Sequence, residues 1–327
     1  MNTFLFLKGN ICSALALSAL AFFATSTQAQ EIKTRGQVFP VLQLPASARG
    51  RALLNALGDN LPALAAWYGK TGAELRALIN QDSSLHGDIR GRLLYVCGAP
   101  PPQDAATTSG SGTVAAGPFP GEQTFLLHSR PGAARIIYLD FTGHTTSGTS
   151  WNSSFTGGAS FSTPPYDIDG NTASFSVAEL DRIQYIWQRV VEDFAPFNVD
   201  VTTEDPGVEA LRRANTSDLN YGVRVCIGGS SYDWYGAGAG GVAYLNSFNW
   251  STDTPCYVFT AQLGTGQEKY TAEAISHEAG HTLGLSHDGT TGGAAYYEGH
   301  GNWAPIMGVG YYRETVQWSK GQYPLAM

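Results

Sequence analysis

The sequence predicts an α+β or α/β layered domain preceded by a small helical unit, and three features carry that prediction. Short runs rich in β-forming residues, such as Arg-Ile-Ile-Tyr-Leu-Asp-Phe at 135–141, alternate with stretches of helical periodicity. Ser176-Val177-Ala178-Glu179 is a capping box, in which the Ser hydroxyl and the Glu carboxylate each accept the other residue's backbone N–H at a helix start. Residues 98–121 are dominated by Pro, Ala, Gly, Ser and Thr without periodicity, a linker composition that marks a domain boundary.

From the N-terminus, Lys8, an apolar run at 11–24 and then Thr27-Gln28-Ala29 fit a signal peptide over residues 1–29, cleaved after Ala29. Export follows, to the medium or to a periplasm if the source has an outer membrane. The competing reading is a buried or anchoring helix, for which the run falls short of the roughly 20 residues that span a bilayer. Residues 30–97 form a self-contained pro-region or accessory domain. A helical stretch at 61–79 carries Leu64, Ala65, Tyr68, Leu75 and Leu78 at helical spacing, and a strand follows at 92–96. Leu64 to Thr71, followed by Glu74-Leu75, also resembles a LysM-type glycan-binding module, which makes a retained cell-wall or glycan-targeting unit the alternative. Residues 122–327 hold the main domain. Its elements are the strand at 135–141, a helix from the capping box to about Phe194, strands at 197–203, 222–227, 241–248 and 256–262, and a helix at 271–284. Asp167-Ile168-Asp169-Gly170-Asn171 looks like part of a structural calcium loop. Setting Asp167 and Asp169 at loop positions 3 and 5 puts Pro165 and Ser176 where the first carboxylate and the bidentate Glu belong, so a turn into the capping box is the rival reading.

With 43% hydrophobic residues in 327, the chain can bury a substantial core. Charged residues are 14% and the formal net charge is −8, so there is no basic footprint for a nucleic acid. No apolar run past residue 30 is long enough to insert stably in a membrane. A monomer is expected. Once Cys12 leaves with the signal, Cys97, Cys226 and Cys256 remain, an odd number for an oxidising compartment. Cys226 and Cys256 lie in strand-like stretches of one region, which makes their disulfide the simplest expectation and leaves Cys97 free.

The chemistry concentrates at His277-Glu-Ala-Gly-His281-Thr-Leu-Gly-Leu-Ser-His287-Asp288. Four residues apart on a helix, His277 and His281 project from one face, so two imidazoles can bind one ion. Glu278 stands near that face, where a carboxylate can take a proton from a water at the metal without itself being a ligand. A catalytic zinc site needs a third protein ligand, and Gly284, free to adopt a left-handed conformation, ends the helix and returns His287 toward the metal.

This extended pattern resembles the metzincin zinc peptidases. Trp303-Ala-Pro-Ile-Met307-Gly-Val-Gly-Tyr311 is similar to their Met-turn, in which Met307 would support the metal from beneath without ligating it. Asp288 after the third His and the strand Gly241-Val242-Ala243-Tyr244 resemble the reprolysin-like branch, whose edge strand pairs with an extended substrate. The resemblance implies an α+β catalytic domain with a mixed, mostly parallel twisted sheet, a long active-site helix, one catalytic Zn2+ bound by His277, His281 and His287, and Glu278 as general base for hydrolysis of a protein or peptide. It is strong over 271–312 and weaker back to about residue 125. Two departures stand out. Val309 occupies the place where some metzincins carry a tyrosine, with Tyr311 and Tyr312 further on, and only 20 residues follow Met307. Cys97-Gly-Ala-Pro100 resembles the core of the matrixin cysteine switch, in which a thiolate on the zinc displaces the catalytic water and keeps the enzyme a zymogen. A disulfide to Cys97 or an inert thiol are the alternatives to that role.

Overall fold

The computed structural model describes residues 39–100 and 116–326. The expected signal peptide, residues 1–29, and residues 101–115 of the expected linker lie outside the described residues. In chain order the elements are β1 (Ala48–Arg49), α1 (Gly50–Leu57), α2 (Leu61–Trp67), α3 (Gly72–Gln81), β2 (Leu85–Gly87), β3 (Leu93–Cys97), β4 (Arg135–Asp140), β5 (His144–Thr146), α4 (Ser150–Phe155), β6 (Phe161–Thr163), α5 (Val177–Phe194), β7 (Asp200–Thr202), α6 (Val208–Leu211), β8 (Tyr221–Ile227), β9 (Gly241–Tyr244), β10 (Cys256–Val258), α7 (Glu268–Thr282), β11 (Trp303–Pro305) and β12 (Thr315–Gln317).

The fold is α+β, built on a mixed eight-stranded sheet of order β1-β2-β3-β9-β10-β8-β4-β7. The strands β10, β8, β4 and β7 run parallel to one another, as the main-domain reading expects. At β9 the direction reverses, and β9, β3, β2 and β1 pair antiparallel in turn. Val223, Val225 and Ile227 of β8 and Ile137 and Leu139 of β4 point to one face, where they pack with Ile183, Ile186 and Val190 of α5 and with Ile275 and Ala279 of α7. The opposite face carries an aromatic cluster with Trp151, Tyr244, Trp250, Tyr257 and Phe259. Each strand thus feeds two apolar layers by its period of two.

The structure corrects several expectations. The stretch at 61–79 is two helices, because the chain turns at Gly69 and Thr71 with Glu74 forms a second capping box that starts α3. Trp67 and Tyr68, which suggested a glycan-binding module, are buried in the small unit's own core. That unit is not self-contained. It shares the sheet through β3 and β9, and the buried Asp88 accepts hydrogen bonds from Tyr244 Oη (3.1 Å) and Ser154 Oγ (3.2 Å) across the seam. For the same reason Gly241–Tyr244 is not an edge strand, since β3 covers the side on which a substrate was expected. The Cys226–Cys256 disulfide is absent: all three described cysteines are free and buried. Cys226 pairs with Tyr257 and Cys256 with Val225, so the two thiols are one register step apart and point to opposite faces of the sheet.

Candidate metal centre

Helix α7 is buried on nearly every side, from Thr271 to Thr282, and so delivers its histidines to the interior. It ends as the spacing required. Gly284 adopts φ +98°, and a Cβ there would strike Asn246. The turn brings His287 back to the helix. The Nε2 atoms of His277, His281 and His287 lie 3.1–3.2 Å from one another. Into the same point projects Cys97 from the end of β3, its Sγ 3.4 Å from His277 and His281 and 3.6 Å from His287. All four side chains are buried, and together they form a group that can hold a metal ion.

The donor set passes a geometric test for such an ion. Metal–nitrogen bonds of about 2.0–2.1 Å and a metal–sulfur bond of about 2.3 Å in a tetrahedron require N–N edges of roughly 3.3–3.4 Å and N–S edges of roughly 3.5–3.6 Å. The observed edges agree to within about 0.2 Å. Each imidazole also has its other nitrogen engaged: His277 Nδ1 with Ile306 O, His281 Nδ1 with Leu285 O and His287 Nδ1 with Asp82 Oδ2, all at 2.7 Å. Donation from Nδ1 leaves the Nε2 lone pairs directed at the common point. Burial pushes His277 down to about 4, and burial together with the neighbouring imidazoles pushes His281 well below the ordinary histidine value. Burial, then the His277 charge, does the same for His287. Neutral imidazoles are the form that ligates. Burial pushes the Cys97 thiol up, and the Glu278 charge adds to it.

Around this point the other predicted residues take distinct places. Glu278 stands between the Cys97 sulfur and β9. A side chain at Gly241 would overlap its carboxylate, so the missing Cβ makes room for Glu278. Burial pushes Glu278 well above the carboxylate range, and its Oε2 has no hydrogen-bond partner among the described residues. Met307 is buried under α7, with its sulfur against Gly280. The adjacent Ile306 O receives His277, and Met307 O accepts Asp288 N–H at 2.8 Å, so the turn at Met307 braces both ends of the histidine motif. Ala243 faces α7 beside Gly241, whereas Val242 and Tyr244 belong to the aromatic layer behind the sheet. Tyr311 lines a narrow cavity with Cys97, Glu273, His277 and Tyr296, while Tyr312 packs on Tyr270.

Two predicted groups lie apart from the centre. Cys226 and Cys256 sit within the sheet. Asp167 and Asp169 form a turn whose carboxylates accept backbone N–H groups of residues 169–171, and the nearby Glu179 is engaged by Ile168 N–H and Ser176. The turn reading accounts for these bonds.

Three residues at the centre were not visible in the sequence pattern. Asp82 accepts from His287, Tyr95 stacks on His281 with ring centroids 4.0 Å apart, and Tyr296 lies 3.7 Å from the His287 ring with its hydroxyl 3.4 Å from His277 Nε2. Asp82 is 205 positions from its partner, and no spacing rule reaches that far. Comparison with known proteins yields no family model, no curated protein and no solved structure that matches the chain.

Proposed function

We propose that the chain is an exported zinc-dependent endopeptidase of metzincin type, held latent by Cys97. One observation carries the reading: the Cys97 sulfur completes a tetrahedron with the three imidazole nitrogens, taking the donor position a water would need, and the Glu278 carboxyl lies beside that sulfur. Thiolate and imidazole donors at these separations suit zinc. Zinc at such a centre supplies a Lewis acid for a peptide carbonyl and for the attacking water. The chain's own residues do the rest. His277, His281 and His287 hold the ion. Glu278 takes the proton from the water and passes it to the leaving amine once Cys97 has withdrawn. Strand β3 lies antiparallel on β9, in the slot where an extended peptide would bind by main-chain hydrogen bonds, so the N-terminal unit shields both the ion and the cleft.

A second reading is favoured by the same fourth ligand. Structural zinc sites close all four positions with protein ligands, and a permanent centre of one thiolate and three imidazoles would tie β3 to α7 without catalysis. Metal analysis with casein cleavage separates the two. On the peptidase reading the intact chain carries one zinc and is inactive, Cys97→Ser cut between residues 98 and 121, so that β3 can leave β9, retains zinc and cleaves casein, and adding Glu278→Ala to that variant abolishes cleavage by about 10²–10⁴-fold with zinc retained. An inactive, zinc-loaded Cys97→Ser chain after that cut defeats the peptidase reading, a cut Cys97→Ser chain no faster than the equally cut wild type defeats the latency, and unaltered cleavage without Glu278 defeats the mechanism.

A further inference from the structure

Asp82 follows α3 in the N-terminal unit, yet its carboxylate serves a ligand on the far side of the sheet seam. Its Oδ2 lies 2.7 Å from His287 Nδ1, and both side chains are almost fully buried. The other oxygen is fixed from behind, accepting the Ser84 N–H at 3.0 Å and the Ser84 hydroxyl. The aspartate therefore cannot swing away without losing its own support. The other two ligands are oriented by backbone carbonyls of the C-terminal part, Ile306 and Leu285. Among the three Nδ1 hydrogen bonds, only that of His287 goes to the N-terminal unit.

Charge points the same way. A buried carboxylate is costly unless compensated. A divalent cation with a Cys97 thiolate leaves one positive charge, and Asp82, hydrogen-bonded to the ligand nearest it, supplies the matching negative one. Carboxylate–histidine–metal chains of this form fix the ring and strengthen the ligand.

Building on the metal-binding part of the function proposed above, we infer that Asp82 is the positioning residue for His287, so that the metal centre is assembled from both parts of the chain. The N-terminal unit is then a working component of the ion's coordination and not a detachable cover alone. Releasing Cys97 by a local movement at 97–100 leaves His287 oriented, whereas discarding the whole unit weakens the ion's hold.

The test measures zinc affinity of the full chain by competition with a chromogenic chelator, for the wild type, Asp82→Ala and Asp82→Asn. The inference expects a 10–100-fold loss in Asp82→Ala and a smaller loss in Asp82→Asn, whose amide oxygen can still accept from Nδ1 without the charge. Melting with and without metal distinguishes position from mere structure: Asp82→Asn should melt at or above the wild type without metal and below it when loaded. Cobalt(II) substitution adds a spectroscopic readout, with the thiolate charge-transfer band of Cys97 retained in Asp82→Asn and the ligand-field bands shifted. Affinities within threefold of wild type in both variants overturn the inference, as does equal destabilisation of the metal-free and loaded forms. A wild type that binds no zinc defeats the function proposed above and this inference together, whereas tight zinc in the wild type with unchanged affinity in the variants defeats this inference only.

Discussion

Arg224 on β8 lies 2.7 Å from Asp140 and 3.0 Å from Asp253, and His144 and Cys226 stand beside the same aspartate. Three strands away, Cys97, His277, His281 and His287 converge with no cationic side chain among them. Asp140, His144 and Cys226 also bring three potential ligand atoms together, but there Arg224 supplies the positive charge. Burial opposes that charge, yet Asp253, Cys226 and Asp140 together hold the guanidinium above its ordinary value. The first cluster is balanced by protein groups, and the second presents four donor atoms with no cationic side chain among them. Similar residue types in buried clusters therefore divide into a structural ion pair and a candidate metal centre by whether a fixed cation is already built in.

Breaking the ion-pair cluster should give the largest effect on stability. Arg224→Met leaves Asp140 and Asp253 buried without their cation and should destabilise the fold by about 3–5 kcal/mol. The loss should be the same with and without metal, measured by urea unfolding of both forms. A metal-dependent loss would mean that the two clusters are coupled and the contrast is false.

Emptying the other cluster comes next. If the centre holds zinc as proposed, the ion at 100–1,000 times its dissociation constant should stabilise the native state by about 3–4 kcal/mol. Dialysis against a chelator should lower the melting temperature by roughly 4–6 °C for a chain of 327 residues. The shift should vanish in His281→Ala and persist in Arg224→Met. A chelator shift that survives His281→Ala would place the ion elsewhere.

The two clusters also differ in how far the sequence disclosed them. His277, Glu278, His281 and Gly284 were legible because a helix fixes their relations within two turns, and the capping box at Ser176 was legible for the same local reason. Met307 followed from the resemblance. The ion pair around Arg224 and the Asp82–His287 bond were not legible, because strand register and sheet order bring their partners together from far along the chain. The antiparallel half of the sheet escaped for a related reason: β3 was read as part of a separate unit, and nothing in a five-residue strand names its neighbour. The break at Gly69 and Thr71 was present in the sequence, but the apolar periodicity running through it suggested one helix.

A smaller effect belongs to Asp193, which accepts from Ser276 Oγ at 2.6 Å beside the histidine motif. Burial raises its carboxyl to about 7 against the donating Ser276. The native state therefore keeps a proton that the unfolded chain has released from about pH 4 upward, and stability falls as pH rises through that window toward 7. Asp193→Asn keeps an acceptor for Ser276 and removes the charge. The variant should match wild type near pH 4 and exceed it near pH 8 by about 2–3 kcal/mol, after allowing for partial exposure. Parallel stability curves across that range would show that the carboxylate is compensated as fully as those around Arg224.

The smallest effect tests the sheet register behind both clusters. Cys226 belongs to the aromatic face with the ion pair, and Cys256 to the helix face near α7. If each thiol is only a small packed side chain, Cys226→Ala and Cys256→Ala should each cost about 1 kcal/mol and add in the double variant. A bridge between them would give a different pattern, because either single substitution would remove the whole contribution of about 2–5 kcal/mol and the second would cost little more. Alkylation of the denatured, unreduced protein gives the direct reading: both residues should be labelled, since one step of parallel register holds their sulfurs on opposite faces of the sheet.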